Sequence, residues 1–168
     1  DPDHRMTAHD LATLALRTIK DFPEFYGYFN EREYTHNGIR QTNRNPLLYD
    51  YPSADGLKTG HTQEAGYGLT ASAVQDGRRL ILVVNGLATR KSRASEPARI
   101  LDWGFREFGT YSLFKAGDVV ETAPVWLGKA ATVPLIIDRD VQLTMKRKSR
   151  QGMKVIVRYN SPVSAPMT

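Results

Sequence analysis

The sequence predicts an α/β domain, built as an antiparallel sheet with packed helices, followed by a small all-β domain. Helical periodicity alternates with β-rich runs up to residue 109, and only short strand patterns follow from residue 110. Charge changes at the same place, because Lys/Arg and Asp/Glu balance in 1–109 and the net charge of +5 falls entirely in 110–168. We therefore expect two domains, 1–109 and 110–168, the second of them truncated.

Composition excludes several classes of protein. A hydrophobic fraction of 40% with 24% charged residues favours a globular chain, and no apolar run approaches the ~20 residues of a membrane span. The absence of cysteine excludes disulfides, thiol catalysis and cysteine-based zinc sites. The four histidines are scattered, so we expect no metal site.

The first element is a helix predicted at 7–22. Thr7 and Asp10 have the spacing of a capping box, in which each side chain bonds an unpaired amide of the first turn. Apolar residues then follow a three-to-four spacing that buries one helix face. Pro23 ends the helix.

Two hairpins are predicted from turn dipeptides. Short extended pieces flank Asn37-Gly38, which tolerates the positive φ of a tight turn, and a loop at 42–52 follows. The runs 66–74 and 79–87 meet at Asp76-Gly77 as a second antiparallel hairpin. The continuous apolar stretch at 80–84 predicts a strand covered on both faces.

A second helix is predicted at 97–108. Ser95 suits the N-cap, Pro97 suits the first turn, and Gly109 ends the helix. The second domain contains only strand patterns, with a basic run at 146–150 that is typical of a solvated edge. Attraction of that run to an anionic bilayer surface is the alternative. Strands of this domain are predicted at 119–122, 125–127, 132–137, 141–145 and 154–159.

The tripeptide K-T-G at 58–60 is the strongest functional motif. It would occur by chance in roughly one chain of this length in twenty-five, but its surroundings are also specific. The segments 55–62 and 65–73 resemble the third conserved box of low-molecular-mass penicillin-binding proteins, and most of all the D-alanyl-D-alanine carboxypeptidase family. Three further segments resemble the same family in the same order along the chain: N-R-N at 43–45 before the box, and L-D-W-G-F at 101–105 and P-V-W-L-G at 124–128 after it.

This resemblance implies the β-lactamase/DD-peptidase fold and a serine-type carboxypeptidase. Such an enzyme trims peptidoglycan stem peptides and is acylated by β-lactams, using S-x-x-K, S-x-N and K-T-G boxes in that order. The sequence contains no S-x-N, and its only S-x-x-K, at Ser112, comes after the K-T-G box. We read Ser112 as an accidental match. We therefore expect no nucleophile in this chain, with the first two boxes preceding Asp1, so that this chain alone is inactive.

The resemblance assigns the remaining site residues. Lys58 supplies positive charge near the nucleophile, and the backbone amide of His61 is an oxyanion donor. Thr59 bonds the substrate carboxylate, and Gly60 leaves room for the serine. Arg93, in the loop after the second hairpin, is the expected clamp for the free C-terminal carboxylate; a solvated loop cation is the alternative.

The implied partners are a stem peptide ending in D-Ala-D-Ala and β-lactams, in the bacterial periplasm or cell envelope. The segment preceding Asp1 as a separate chain and the inner-membrane surface remain open as partners, and the full-length protein is expected to be membrane-associated. No nucleic-acid partner is expected, because no aromatic stacking motif accompanies the basic second domain.

Three other functions stay open. A transpeptidase uses an amine instead of water as the acceptor. The K-T-G box and its neighbours do not determine which acceptor is used. A β-lactamase is disfavoured, because the family implies an end near the second helix and this chain continues into an all-β domain. A non-catalytic binder of cell-wall peptide would have no S-x-x-K preceding Asp1.

Overall fold

A computed structural model describes residues 5–165. The backbone forms two compact units, of which the first reaches Arg106 and the second starts at Glu107. Each unit contains a two-stranded and a three-stranded sheet of its own. The division lies just before the sequence-based boundary at 109/110.

The first unit begins with helix α1, Ala8–Asp21, which confirms the helix predicted at 7–22. Thr7 Oγ1 accepts a hydrogen bond from the Asp10 amide at 3.1 Å, and the Asp10 carboxylate accepts one from the Thr7 amide at 3.0 Å. The predicted capping box is therefore present, and it satisfies two amides that lack helical partners.

The chain then turns into the first hairpin. Asn37 and Gly38 adopt φ values of 50° and 77°, the conformation expected of this turn, so the predicted hairpin is confirmed. All eight strand residues are exposed. The elements of this segment are α2 (Pro23–Tyr26), a 3-10 turn (Gly27–Asn30), β1 (Glu33–His36) and β2 (Ile39–Thr42).

The predicted loop at 42–52 is wrong in its centre, where a short helix α3 spans Leu47–Asp50. The side-chain oxygen of Asn45 accepts a hydrogen bond from the Leu47 amide at 3.1 Å and so starts the turn. Leu47 and Leu48 are almost fully buried. Burial of these two side chains outweighs the polar, loop-like composition around them.

A three-stranded antiparallel sheet positions the K-T-G box. Its strands are β3 (Ala54–Thr62), β4 (Gly66–Gln75) and β5 (Arg78–Leu87), in the order β3-β4-β5. The predicted second hairpin is confirmed, with Asp76 and Gly77 at φ values of 50° and 72°. Strand β3 therefore lies at the edge of this sheet.

The core of the first unit packs around β4. Ala71 and Ala73 are fully buried, and Leu69 and Leu101 are nearly so. The apolar stretch 80–84 of β5, predicted to be covered on both faces, is half-buried, so its cover is partial. One face of β5 meets this core through Leu80, Leu82 and Val84, and helix α1 also packs against β5, which together give partial cover.

Helix α4, Arg90–Glu107, begins seven residues before the predicted start at 97. Its cap is Thr89, whose Oγ1 accepts a hydrogen bond from the Ser92 amide at 3.0 Å, while Ser92 Oγ accepts one from the Thr89 amide at 3.1 Å. Pro97 thus lies inside the helix rather than in its first turn. The predicted N-cap at Ser95 is wrong, because the reciprocal Thr89–Ser92 bonds satisfy the first amides earlier.

The regular elements of the second unit are strands apart from one short helix, as predicted. Strand β7 merges the two strands predicted at 119–122 and 125–127, and no strand forms at 154–159, where the prediction was wrong. The basic run forms a short exposed helix, and Arg150 lies 5.4 Å from the ring centre of Tyr111. The elements are β6 (Phe108–Phe114), β7 (Val119–Trp126), β8 (Thr132–Ile136), β9 (Val141–Lys146), α5 (Arg147–Arg150) and β10 (Val163–Ser164).

Strand pairing in the second unit leaves its strands largely exposed. Strand β6 pairs with β9, and β7 lies between β8 and β10, the last pair being parallel. Among the described residues no helix is long and apolar enough to cross a membrane. Ser112 lies in β6 opposite Gln142, in extended backbone rather than at the start of a helix.

Candidate active site

The K-T-G tripeptide at 58–60 lies on the edge strand β3, opposite residues 68–70 of β4. Within residues 5–165, β4 is the only strand paired with β3, so the other side of β3 carries backbone groups without a strand partner. Such an edge can accept an extended peptide as an added strand. From Lys58 to Thr62 the strand is exposed, apart from half-buried Thr59.

The Lys58 amine lies against its own strand. Its Nζ donates a hydrogen bond to the Thr59 carbonyl oxygen at 2.7 Å, and the side chain is exposed. The positive charge is therefore held at the edge of the sheet, beside the backbone that a peptide would meet. A charge in this position attracts anionic ligands and favours the build-up of negative charge in a reaction.

Gly60 has open space around it. A Cβ built on Gly60 meets no other atom of the described residues within 4 Å. The prediction that Gly60 leaves room for the serine stays a prediction, because the serine is not among these residues.

A largely apolar cavity of about 360 Å³ opens beside the K-T-G box. Helix α1 contributes its Leu11, Leu14 and Ala15 to one wall, and β3 contributes residues 57–60 to another. The cavity thus combines an apolar wall with the lysine, the threonine hydroxyl and a free strand edge. This combination suits a ligand with an apolar body and a few fixed polar groups.

Arg93 lies in the first turns of α4, not in a loop as predicted, and its side chain is buried, with the residue only 6% exposed. The Thr89–Ser92 cap moves the start of the helix ahead of this residue. The Nε atom of Arg93 is buried and has no hydrogen-bond partner among residues 5–165. A buried, unsatisfied guanidinium nitrogen is costly, and an anionic ligand would satisfy it.

Tyr67 links Arg93 to the K-T-G strand. The guanidinium carbon of Arg93 lies 5.4 Å from the ring centre of Tyr67, within the range of a cation–π contact. Tyr67 also pairs with His61 across the strands, and the two ring centres are 4.0 Å apart. The structure thus brings together two predicted site residues, His61 and Arg93, through a residue that the sequence analysis did not assign.

Three arginines influence this end of the strand. Burial lowers the pKa of Arg93 below its ordinary value, and repulsion from Arg90 and Arg44 lowers it further, while Tyr67 acts in the opposite direction. Guanidinium groups that repel one another form a natural carboxylate site, because a bound anion relieves the repulsion.

Arg44 and Tyr67 are the site residues that sequence reasoning missed. Arg44 belongs to the N-R-N triplet at 43–45, which resembles the family's motif but to which the sequence assigns no chemical role. Tyr67 lies in the run at 65–73, where its aromatic ring is typical of any strand. Only the tertiary approach of α4 and of the 43–45 loop to β4 reveals their neighbourhood.

Comparison with known proteins shows which family contains this chain. Residues 1–89 match the family model described as D-alanyl-D-alanine carboxypeptidase, and residues 108–168 match that of the penicillin-binding protein 5 C-terminal domain. The chain belongs to the D-alanyl-D-alanine carboxypeptidase family. The resemblance seen in the sequence is thereby confirmed.

Curated relatives from distant bacteria agree with this assignment. The D-alanyl-D-alanine carboxypeptidase DacA of Escherichia coli K12 is 42% identical over 163 residues, covering 96% of this chain and 40% of the relative. DacF of Bacillus subtilis is 33% identical over 169 residues, covering 98% of this chain and 43% of the relative. The chain therefore spans about two-fifths of the length of the curated relatives it matches.

Solved structures confirm the predicted fold class. Penicillin-binding protein 5 of Haemophilus influenzae is similar with a TM-score of 0.86 at 37% identity, covering 99% of this chain and 49% of that one. The carboxypeptidase DacD of Francisella tularensis gives a TM-score of 0.79 at 27% identity, covering 97% and 53%. An α/β unit with an antiparallel sheet, followed by a strand-rich unit, is thus the family's architecture in this part of the chain.

Proposed function

We propose that this chain forms the K-T-G wall of a serine-type D-Ala-D-Ala carboxypeptidase, and that residues outside it supply the serine nucleophile. The observation that supports this most is the convergence on one strand end of a free edge, the K-T-G box and the buried, unsatisfied Arg93. The substrate is a peptidoglycan stem peptide that ends in D-Ala-D-Ala. β-Lactams acylate the same serine.

The substrate lies along the free edge of β3. Main-chain hydrogen bonds to β3 align the peptide, as in other cases of strand addition. Its terminal carboxylate meets the Thr59 hydroxyl and the Arg93 guanidinium, with Arg44 and Arg90 adding positive charge. An internal peptide bond offers no such carboxylate, so this end of the site selects free C-termini.

The chemical step is acyl transfer. The serine oxygen attacks the carbonyl of the penultimate D-alanine, its proton passes to a base, and the oxyanion meets the amide of His61, a contact worth about 2.7–4 kcal/mol. The amide bond breaks, the departing nitrogen takes a proton, and D-alanine leaves. Water then attacks the ester, which frees the shortened peptide and restores the serine hydroxyl. The Lys58 charge stabilises the negative intermediates, and no metal or cofactor takes part.

This function places the protein in the bacterial cell envelope. Peptidoglycan lies outside the inner membrane, so a periplasmic or membrane-associated location fits. The basic run at 146–150, exposed in α5, offers a surface for anionic lipid headgroups.

A transpeptidase is the second candidate. The Streptomyces K15 DD-transpeptidase, solved as a point mutant, is similar to this chain with a TM-score of 0.56 at 28% identity, covering 59% of this chain. Both enzymes form the same acyl-enzyme, and only the acceptor differs. Adding an amine such as glycine to the assay separates them, since a transpeptidase joins it to the peptide while a carboxypeptidase yields only the free acid.

Labelled penicillin tests the proposal. The 168-residue chain alone forms no covalent adduct, because it lacks a serine in an S-x-x-K box ahead of K-T-G. The whole protein to which these residues belong forms a one-to-one adduct and releases D-alanine from a peptide ending in D-Ala-D-Ala. Intact-mass spectrometry and a D-alanine assay measure both. An adduct on the 168 residues alone, or none on the whole protein, contradicts the proposal.

A further inference from the structure

A bulge at Asp55 determines how the K-T-G strand is aligned. Ala54 lies opposite Ala73, but Gly56 lies opposite Ser72, so Asp55 is an extra residue in β3 without a partner in β4. An inserted residue of this kind bends the strand and changes the direction of the residues that follow. The K-T-G box begins three residues later, at Lys58.

The bulge decides which face of the sheet Lys58 occupies. With the bulge, Lys58 lies opposite Thr70, which is half-buried. Regular pairing continued from Ala54 would place Lys58 opposite Leu69, whose side chain faces the core and is 1% exposed. A shift of one residue moves every side chain to the other face, so the bulge keeps the lysine out of the core.

Asp55 is held in the bulge by two side chains. Arg79 Nη1 donates to both carboxylate oxygens, at 2.9 and 2.7 Å, and the Tyr26 hydroxyl donates to one of them at 2.8 Å. Arg79 also donates to the hydroxyl of Ser72 on the central strand. One guanidinium therefore joins the edge strand, the central strand and helix α2.

The surroundings of this cluster favour its persistence. The side chains of Asp55 and Arg79 are only 25% and 31% exposed, unlike the surface ion pairs of the first unit. Burial raises the pKa of Tyr26 to about 12, so its hydroxyl keeps the proton that it donates. Gly56 allows the contact, since a Cβ there would lie 2.8 Å from the Tyr26 oxygen.

We propose that Asp55, Arg79 and Tyr26 are positioning residues, which fix the bulge and so hold Lys58 and the free edge of β3 in place for acyl transfer. They touch no reacting atom and act through the strand. The inference rests on the proposed function for its catalytic consequence, and on the pairing of β3 with β4 for its structural one.

Acylation of the whole protein by labelled penicillin tests the catalytic consequence. Asp55→Asn and Arg79→Met each lower the second-order acylation rate by about 10- to 100-fold, since displacement of catalytic groups by ~1 Å costs this much. Because both changes break one cluster, the double variant loses no more than the worse single one. Arg99→Met, which removes an exposed ion pair on α4, leaves the rate unchanged. Rates of the single variants within twofold of wild type, or additive losses, overturn the inference.

Hydrogen exchange in the 168-residue chain tests the structural consequence without any nucleophile. Asp55→Asn speeds exchange at those amides of 57–62 that bond to β4 and leaves those of Ala71 and Ala73 unchanged, because the bulge loosens while the core stays folded. Equal acceleration at all these amides would mean general destabilisation and would overturn the inference. If the wild-type whole protein is not acylated, the proposed function fails, and the exchange result still decides whether the cluster holds the strand.

Discussion

The two halves of strand β3 differ in almost every physical respect. Residues 54–57 are buried apart from Asp55, and this first half is enclosed by α2, the 3-10 turn and the core. Residues 58–62 are exposed apart from half-buried Thr59, and they lie along a cavity and a free strand edge. A buried first half thus leads into a largely exposed second half on one continuous backbone. Precision at the site comes from packing several residues away from it.

The largest expected effect is that of replacing Arg93, which lies beside the exposed half of β3. In the whole protein Arg93→Ala lowers kcat/KM for a D-Ala-D-Ala peptide by about 100-fold, because loss of a buried charged partner costs ~2–5 kcal/mol. Acylation by penicillin falls much less. Arg99→Ala is the matched control, since it removes an arginine from the same helix at an exposed position. Equal losses for peptide and penicillin would show that Arg93 is not the carboxylate clamp.

Alanine substitution of two glycines on β3, one in each half, compares how tightly the two halves are packed. Gly56→Ala destabilises the 168-residue chain by about 1–3 kcal/mol, since its Cβ would lie 2.8 Å from the Tyr26 oxygen and 3.3 Å from the Phe29 Cβ. Gly60→Ala changes stability by less than ~0.5 kcal/mol, because nothing lies within 4 Å. Urea midpoints measure both. Similar midpoints for the two variants would remove the distinction between the halves.

Tyr67 connects the exposed half of β3 to Arg93. Replacing it with leucine removes the ring that Arg93 faces and leaves the guanidinium less firmly positioned. Affinity for a D-Ala-D-Ala peptide therefore falls, by no more than about 0.5–2 kcal/mol, the usual range of a cation–π contact. Tyr67→Phe keeps the ring and retains most of that affinity. Calorimetric titration of the whole protein measures both variants, and an equal loss in the two would point to the hydroxyl instead.

The smallest expected effect comes from alkaline pH. Tyr26 keeps its proton in the folded protein up to a pKa of about 12, whereas the unfolded chain releases it near 10. The unfolded state therefore binds fewer protons above pH 10, and stability falls as the pH rises towards 12. Between about pH 9 and about pH 11, the urea midpoint falls less in Tyr26→Phe than in wild type. An identical fall in both contradicts the raised pKa.

Local chemistry explains which elements the sequence predicted well. The capping box of Thr7 and Asp10 and the turns at Asn37-Gly38 and Asp76-Gly77 depend on residues a few positions apart, and all three form as expected. The start of α4 was missed because Ser92 replaces the usual Glu or Gln of a capping box and Pro97 suggested a later start. The strand at 154–159 was wrongly predicted, since β-type residues form a strand only where a partner pairs with them.

The candidate site shows the same division. The K-T-G box and Arg93 were found from motif and order along the chain, while Arg44 and Tyr67 were not. Their positions beside Arg93 arise from contacts between residues distant in sequence, which no spacing rule describes. The Asp55 bulge was equally hidden, because its partners Tyr26 and Arg79 lie 29 and 24 residues away.

Pro97 has a mechanical consequence for the anion site. Proline has no amide hydrogen, so α4 lacks the ladder bond that residue 97 would donate to the carbonyl of Arg93. The turn bearing Arg93 is thus coupled to the rest of the helix by fewer bonds than an ordinary turn. The missing bond lies between that turn and the part of α4 that Leu101 anchors in the core. One proline therefore leaves the turn that bears Arg93 less tightly bonded, through the backbone, to the core-packed part of the helix.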